Sequence, residues 1–176
     1  MILDTPLLTE RLRLRSLTSA ACGQRYLGWM RDEAVQRFLE SRGQPMSLES
    51  LAAFVAKANV DPDTLMLGMF QADDDQHIGN IKLGPIDRRH ARASLGILIG
   101  ERDAWGRGYA TEAVRAVSDY AIAKLGVAKV TAGAYDENAG SIAAFQRAGF
   151  VIEGRLARHA VLDGRRVDVV MMAKHA

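Results

Sequence analysis

A chain of 176 residues, 48% hydrophobic and 25% charged, has the length and balance of one globular domain spanning 1–176, and leaves no room for a second. Its 23 lysines and arginines stand against 21 acidic residues, which excludes a general electrostatic pull toward nucleic acid or a membrane. A lone cysteine, Cys22, excludes an internal disulfide, and the amino terminus lacks the charged start and long apolar core of a secretory signal. No uncharged apolar run approaches the roughly 20 residues of a membrane-spanning helix, so the expected compartment is the cytoplasm.

In chain order, 10–17 alternates arginine with leucine, the period of a half-buried strand, and Thr18 or Ser19 is placed to cap a helix after it. Leu27, Met30, Val35, Phe38 and Leu39 read as one or two short helices. The run 47–58 predicts a clearer helix, capped by Ser47 with Ser50 in the capping-box position and Leu48, Leu51, Phe54 and Val55 on one face. Three strand-like runs, TLMLGMF, HIGNIKLG and ARASLGILIG, follow as an antiparallel meander, with 73 to 75 a solvated acidic turn. From Ala110 the residues Ala113, Val114, Val117, Ala121 and Leu125 keep helical spacing until Gly126. A strand at 127–136, a helix at 138–149 between Asn138 and Gly149, and a hairpin turning at Asp163-Gly164 complete the chain. The fold class is α/β, of the α+β type.

One junction between strand and helix carries chemistry. In AWGRGYATEAV (104–114), Gly106, Gly108 and Ala110 strip side chains from a helix mouth. Unpaired backbone N–H groups and the positive end of the helix dipole suit such a loop to a diphosphate. The same glycines also suit a tight turn that packs a helix on a sheet. The Gly-Lys-Ser/Thr ending of a nucleotide triphosphate loop is absent, and Thr111 stands where a dinucleotide fingerprint needs its third glycine, which disfavours ATP and NAD.

WGRGYA, covering Trp105, Gly106, Arg107, Gly108, Tyr109 and Ala110, resembles the Arg/Gln-x-x-Gly-x-Gly/Ala loop of the GNAT family of N-acetyltransferases, whose backbone amides hold the pyrophosphate of acetyl-coenzyme A. Trp105 departs from the usual arginine or glutamine, but the longer string WGxGYATEA is similar to the Rim-type branch, which acetylates protein N-termini and various small amines. TERLRLRSL resembles that branch's first strand, NAGSIAAFQRAGFVIEG its Asn-x-x-Ser helix, and DGRRVD its final hairpin, all in the expected order. The resemblance implies a mixed, mostly antiparallel sheet of about seven strands splayed between the fourth and fifth, with about four helices. It also implies acetyl-coenzyme A as cosubstrate, without a metal.

What the resemblance implies for mechanism is direct attack of an amine on the thioester in a ternary complex, with no covalent nucleophile, so Cys22 is read as a small buried hydrophobe. Backbone N–H groups of Leu98, Ile99 and Gly100 would serve the thioester carbonyl and pantetheine arm, and Trp105 to Thr111 the diphosphate. Asn138 would contact pantetheine and Ser141 would lie by the sulfur, although capping explains both. Phe145 occupies the place of a common proton-donating tyrosine, which leaves Ser141, or a water it holds, as the acid. Ser94 replaces the glutamate that often serves that branch as base. The remaining carboxylates on matching motifs are Glu153, Asp168 and Glu112, and deprotonation through water is favoured over all three. Trp29, Phe38 and Glu40 fall where the family builds its acceptor wall, or are core and cap.

The expected acceptor is a small amine such as an amino sugar, or a protein N-terminus; neither nucleic acid nor membrane is a partner, and a homodimer is compatible with the resemblance. The alternative is a non-catalytic sensor that binds acyl-coenzyme A. His77, His90, His159 and His175 lack metal-binding spacing, and the arginines of 88–92 with Arg155, Arg158, Arg165 and Arg166 read as exposed strand-edge cations.

Overall fold

The computed structural model describes residues 1–176. A two-residue strand β1 (Leu7–Leu8) precedes β2 (Leu12–Ser16), where the alternation has its expected result: Leu12 and Leu14 are fully buried while Arg13 points outward. Thr18 does not cap a helix; it is extended and leads into a 3-10 turn at Ser19–Ala21. Short helices α1 (Gln24–Trp29) and α2 (Glu33–Gln36) follow, the second capped by the Asp32 carboxylate. Helix α3 (Leu48–Val60) carries the reciprocal capping box, with Ser47 accepting from the Ser50 N–H and Ser50 from the Ser47 N–H. Its buried face is Leu51, Val55 and Ala58, whereas Phe54 is 45% exposed and faces a cavity instead of the core.

The meander forms as β3 (Leu65–Gln71), β4 (His77–Asp87) and β5 (Arg92–Ile99), and then come α4 (Tyr109–Leu125), β6 (Lys129–Tyr135), α5 (Ala139–Arg147), β7 (Val151–Leu162) and β8 (Arg165–His175). The strands make one sheet in the order β1-β2-β3-β4-β5-β6-β8-β7, antiparallel except for β5 against β6. Eight strands and five α-helices answer to the expected seven and four; β1 is the added strand, and the segment after β2 divides into two helices. No helix is long and apolar enough to cross a membrane.

Hydrophobic cores lie on both faces of the sheet. One packs α4 and α5 through Ala113, Val114, Val117, Ala121 and Phe145 onto Leu65, Leu67, Ile81 and Val130. The other packs α1 and α3 through Tyr26, Trp29, Leu51 and Val55 onto Leu17 and Met66. A strand covered on both faces must be apolar throughout, and LMLGMF in β3 is buried at every residue.

The parallel pair β5 and β6 is zipped only at Arg92–Lys129, Ala93–Val130 and Ser94–Thr131. Beyond that rung β5 stays with β4 as far as Ile99, while β6 stays with β8 as far as Tyr135. The two therefore splay into a V, and the chain places α4 and α5 at its open end.

Candidate active site

The first wall of the V is the loop between β5 and α4. Gly106 and Gly108 have φ of +71° and +84°, left-handed values that side chains resist, and Gly108 is the N-cap of α4. A glycine cap offers no side-chain acceptor, and none of the N–H groups from Gly106 to Thr111 donates to an acceptor within the chain. The first helical amide with a partner is that of Glu112, on the Gly108 carbonyl. A row of free donors thus stands at the positive end of a 17-residue helix.

The loop is held from behind. Arg11 Nη1 donates to the Arg107 carbonyl at 2.9 Å, and the same guanidinium pairs with Glu112 at 2.7 Å. Glu112 also accepts from the Thr9 hydroxyl at 2.5 Å and from the Arg11 N–H at 2.8 Å. Burial alone would raise this carboxyl's pKa, but those hydrogen bonds and the guanidinium outweigh it and hold the group below the usual carboxylate value. Tyr109 is buried, its hydroxyl accepting from Gln71 at 3.2 Å. Trp105 lies over the loop with its indole N–H on the Ile99 carbonyl at 2.9 Å.

Strand β5 is the second wall. Backbone polar groups alternate sides along a strand. The Ala93 carbonyl accepts from Thr131 on β6 and the Ile99 carbonyl from Trp105, so the odd-numbered residues face the opening. Gly100 instead donates to the Ile78 carbonyl of β4 at 2.9 Å. The amides turned to the open side are therefore those of Ile97 and Ile99; of the three expected donors, Leu98 and Gly100 turn toward β4 and only Ile99 keeps its place.

These walls enclose a cleft of about 660 Å³ lined by Ile97, Ile99, Trp105, Gly106, Gly108, Ala110, Thr111, Asn138, Ser141 and Arg147. A second cavity, about 1050 Å³, lies on the other side of β5 beneath α1, α3 and the final hairpin, and is lined by Tyr26, Glu40, Arg42, Phe54, Asn80, Lys82, Tyr135 and His159. Phe38, Leu39, Ile97, Leu98, Asn138 and Ser141 line both, and so mark where the two spaces meet. At this junction Asn138 Oδ1 caps α5, accepting from the Ser141 N–H at 3.2 Å, while the Ser141 hydroxyl makes no hydrogen bond within the chain.

The model of the acetyltransferase (GNAT) domain matches residues 11–151. The chain belongs to the GNAT acetyltransferase family. Among its relatives is p20 of Bacillus licheniformis, an uncharacterized N-acetyltransferase, 34% identical over 57% of this chain and 56% of that one, so that the match spans little more than half of the relative. Spermidine N-acetyltransferase from Vibrio cholerae, solved with CoA and spermine, superposes with a TM-score of 0.84 at 23% identity over 95% and 96% of the two chains. The microcin C7 self-immunity acetyltransferase MccE, solved with acetyl-CoA and AMP, gives 0.81 at 19% over 96% and 94%. At these identities the structures show a shared fold.

Within this GNAT fold several expected site residues sit elsewhere. Glu153 pairs with Lys129 at 2.6 Å and His175 at 2.9 Å; these partners hold its pKa down, and Lys129 opens β6, roughly 20 Å along the strand from Tyr135. Asp168 lines neither space: Val169 and Met171 face the cavity, so Asp168 points the other way, accepting from the Arg158 N–H at 2.8 Å. Trp29 is buried, donates to Glu101 at 3.0 Å, and fills the space a Cβ on Gly100 would occupy. It supports the end of β5 and is not an acceptor wall. Phe38 and Glu40 do line the cavity. Phe145 is 2% exposed and packs edge-on to Phe150, and Ser94 lies at the last zipped rung of the V.

Sequence reasoning missed other lining groups. Tyr135 donates to Glu40 at 3.1 Å, and burial, then the neighbouring Glu40 charge, raises the phenol's pKa. Arg42 pairs with Asp163 at 2.6 Å, leaving Glu40 as the cavity's carboxylate without a cation. Arg147, at the end of α5, lines the cleft without an acidic partner. Arg147 lies within the NAGSIAAFQRAGFVIEG motif but was given no role there, and Tyr135 and Arg42 reach the cavity only because β6 and the hairpin converge.

Proposed function

We propose that this protein transfers the acetyl group of acetyl-coenzyme A to a primary amine by direct attack within a ternary complex. The observation that carries the reading is the row of unengaged N–H groups from Gly106 to Thr111, opening into a cleft that meets a second, separate cavity at Ser141. A diphosphate satisfies those amides, Arg147 adds a cation, and the pantetheine arm runs along β5 past Asn138. The thioester carbonyl then accepts from the Ile97 or Ile99 N–H, fixed dipoles that stabilise the developing oxyanion.

The acceptor amine approaches from the larger cavity. Its nitrogen forms a bond to the carbonyl carbon as the carbon–sulfur bond breaks, water takes the amine proton, and the Ser141 hydroxyl relays a proton from water to the leaving thiolate, regaining one as it gives one. Glu40, hydrogen-bonded to Tyr135, holds the incoming ammonium. The spermine-bound neighbour supports a small amine as the acceptor class.

The test is calorimetric titration of acetyl-coenzyme A into wild type and Gly108→Glu. Glutamate at φ of +84° adds both strain and a negative charge beside the diphosphate. The expected loss is roughly 100-fold in affinity, about 2.7 kcal/mol. No binding by the wild type overturns the reading; binding without thiol release on any amine leaves a sensor.

A further inference from the structure

We infer that the acceptor is an amine that also carries an oxyanion, a carboxylate or phosphate, received by Lys82 and Asn80. This rests on the acetyltransferase reading and narrows its substrate class. Asn80 and Lys82 are two apart on β4 and so share a face, opposite Leu98 and Gly96 of β5. Gly96 has nothing within 4 Å of where a Cβ would stand, so the floor beside Lys82 is open.

Asn80 is 4% exposed, and its Nδ2 has no hydrogen-bond partner. Its orientation follows from its neighbour. His77 Nε2 meets the Gly79 carbonyl at 3.0 Å, an atom that only accepts, so the nitrogen carries the proton and the Asn80 atom 2.9 Å away is the oxygen. The amide therefore turns two buried N–H donors away from His77, one toward the Tyr26 hydroxyl and the other along the cavity that both residues line. A buried donor without an acceptor is costly, and an oxygen of a bound molecule relieves it.

Charge points the same way. The charged groups lining the cavity are Glu40, Arg42, Asp163 and Lys82, with His159 titratable. Arg42 and Asp163 neutralise each other at 2.6 Å, while Lys82 makes no ion pair. One free carboxylate and one free ammonium thus face the same space. A zwitterionic amine matches both, with its ammonium on Glu40 and its oxyanion on Lys82 and Asn80. A polyamine satisfies Glu40 but places like charge against Lys82 and offers Asn80 no acceptor.

The experiment compares O-phosphoethanolamine and β-alanine with ethanolamine, 1,4-diaminobutane and spermidine, by thiol release and by calorimetric binding to CoA-loaded protein. Wild type, Lys82→Met and Lys82→Glu are compared, with CoA affinity reporting that each variant is folded. The expected result is a preference for the anionic amines of at least about tenfold over ethanolamine. Lys82→Met removes it through KM, and Lys82→Glu turns it toward spermidine. The ratio of the two anionic amines distinguishes phosphate from carboxylate. If CoA binds but the polyamines bind or react as well as the anionic amines, or Lys82→Met leaves the preference intact, the inference is overturned and the acetyltransferase reading stands. If acetyl-coenzyme A itself does not bind, both fall.

Discussion

Ser141 shows how one residue type serves two purposes. Its N–H is spent on the Asn138 cap, while its hydroxyl is left at the meeting point of cleft and cavity. Phe145 lies a helical turn further on, buried against Phe150, and has no proton to give. Ser141→Ala should therefore lower kcat for thiol release about 10- to 100-fold, within the usual range for losing a general acid, while the calorimetric Kd for acetyl-coenzyme A stays unchanged. An equal fall with every amine identifies a step on the sulfur; an effect confined to one acceptor's KM would place the hydroxyl in acceptor binding. Asn138 was legible as a cap from its spacing alone. For Glu153 and Asp168 the sequence left open a base on a matching motif or a plain strand-surface charge, because a motif records which residue is present and not which way a β-strand turns it.

The proposed cofactor cleft belongs to elements. Helix α4 begins on a glycine whose left-handed backbone leaves the first amides bare, and this much follows from WGRGYA. What keeps the bare end in place is Glu112 in the first turn, which binds Thr9 and Arg11 from the chain just before β2. Its folded pKa lies below the unfolded value of 4.5, so its contribution to stability is fully present above pH 4.5 and is lost as pH falls through the folded pKa. Glu112→Gln should cost about 1–3 kcal/mol in urea denaturation at pH 7 and lose part of the wild type's further destabilisation below pH 4.5. A variant as acid-sensitive as wild type would assign that sensitivity to other carboxylates. The β5 amides were read as the consecutive run Leu98, Ile99 and Gly100, which alternation splits, so that of the three only Ile99 faces the opening. Alternation makes a one-residue error decisive, and the phase is visible only once Gly100 is seen bonding to Ile78 and Ile99 to Trp105.

At the scale of the molecule, a ligand lying in the V touches β5, α4 and α5 at once. Acetyl-coenzyme A at 100 times its Kd should add about 2.7 kcal/mol to stability, a rise in melting temperature of roughly 5–10 °C for a chain of this size. A melting temperature unchanged at saturation would mean that the ligand does not bind across the V. The sequence by itself determined every element but β1, their order, the Ser47 and Asn138 caps and the bare end of α4, and the family, because those depend on local periodicity, on turn chemistry and on short strings of adjacent residues. It did not determine the acceptor side. Glu40, the β4 pair Asn80 and Lys82, Tyr135 and His159 come from four separated stretches, and no spacing in the chain links one stretch to another. Only the tertiary structure, by splaying β5 from β6 and folding the last hairpin across the opening, brings their charges into one cavity and leaves Lys82 without a partner.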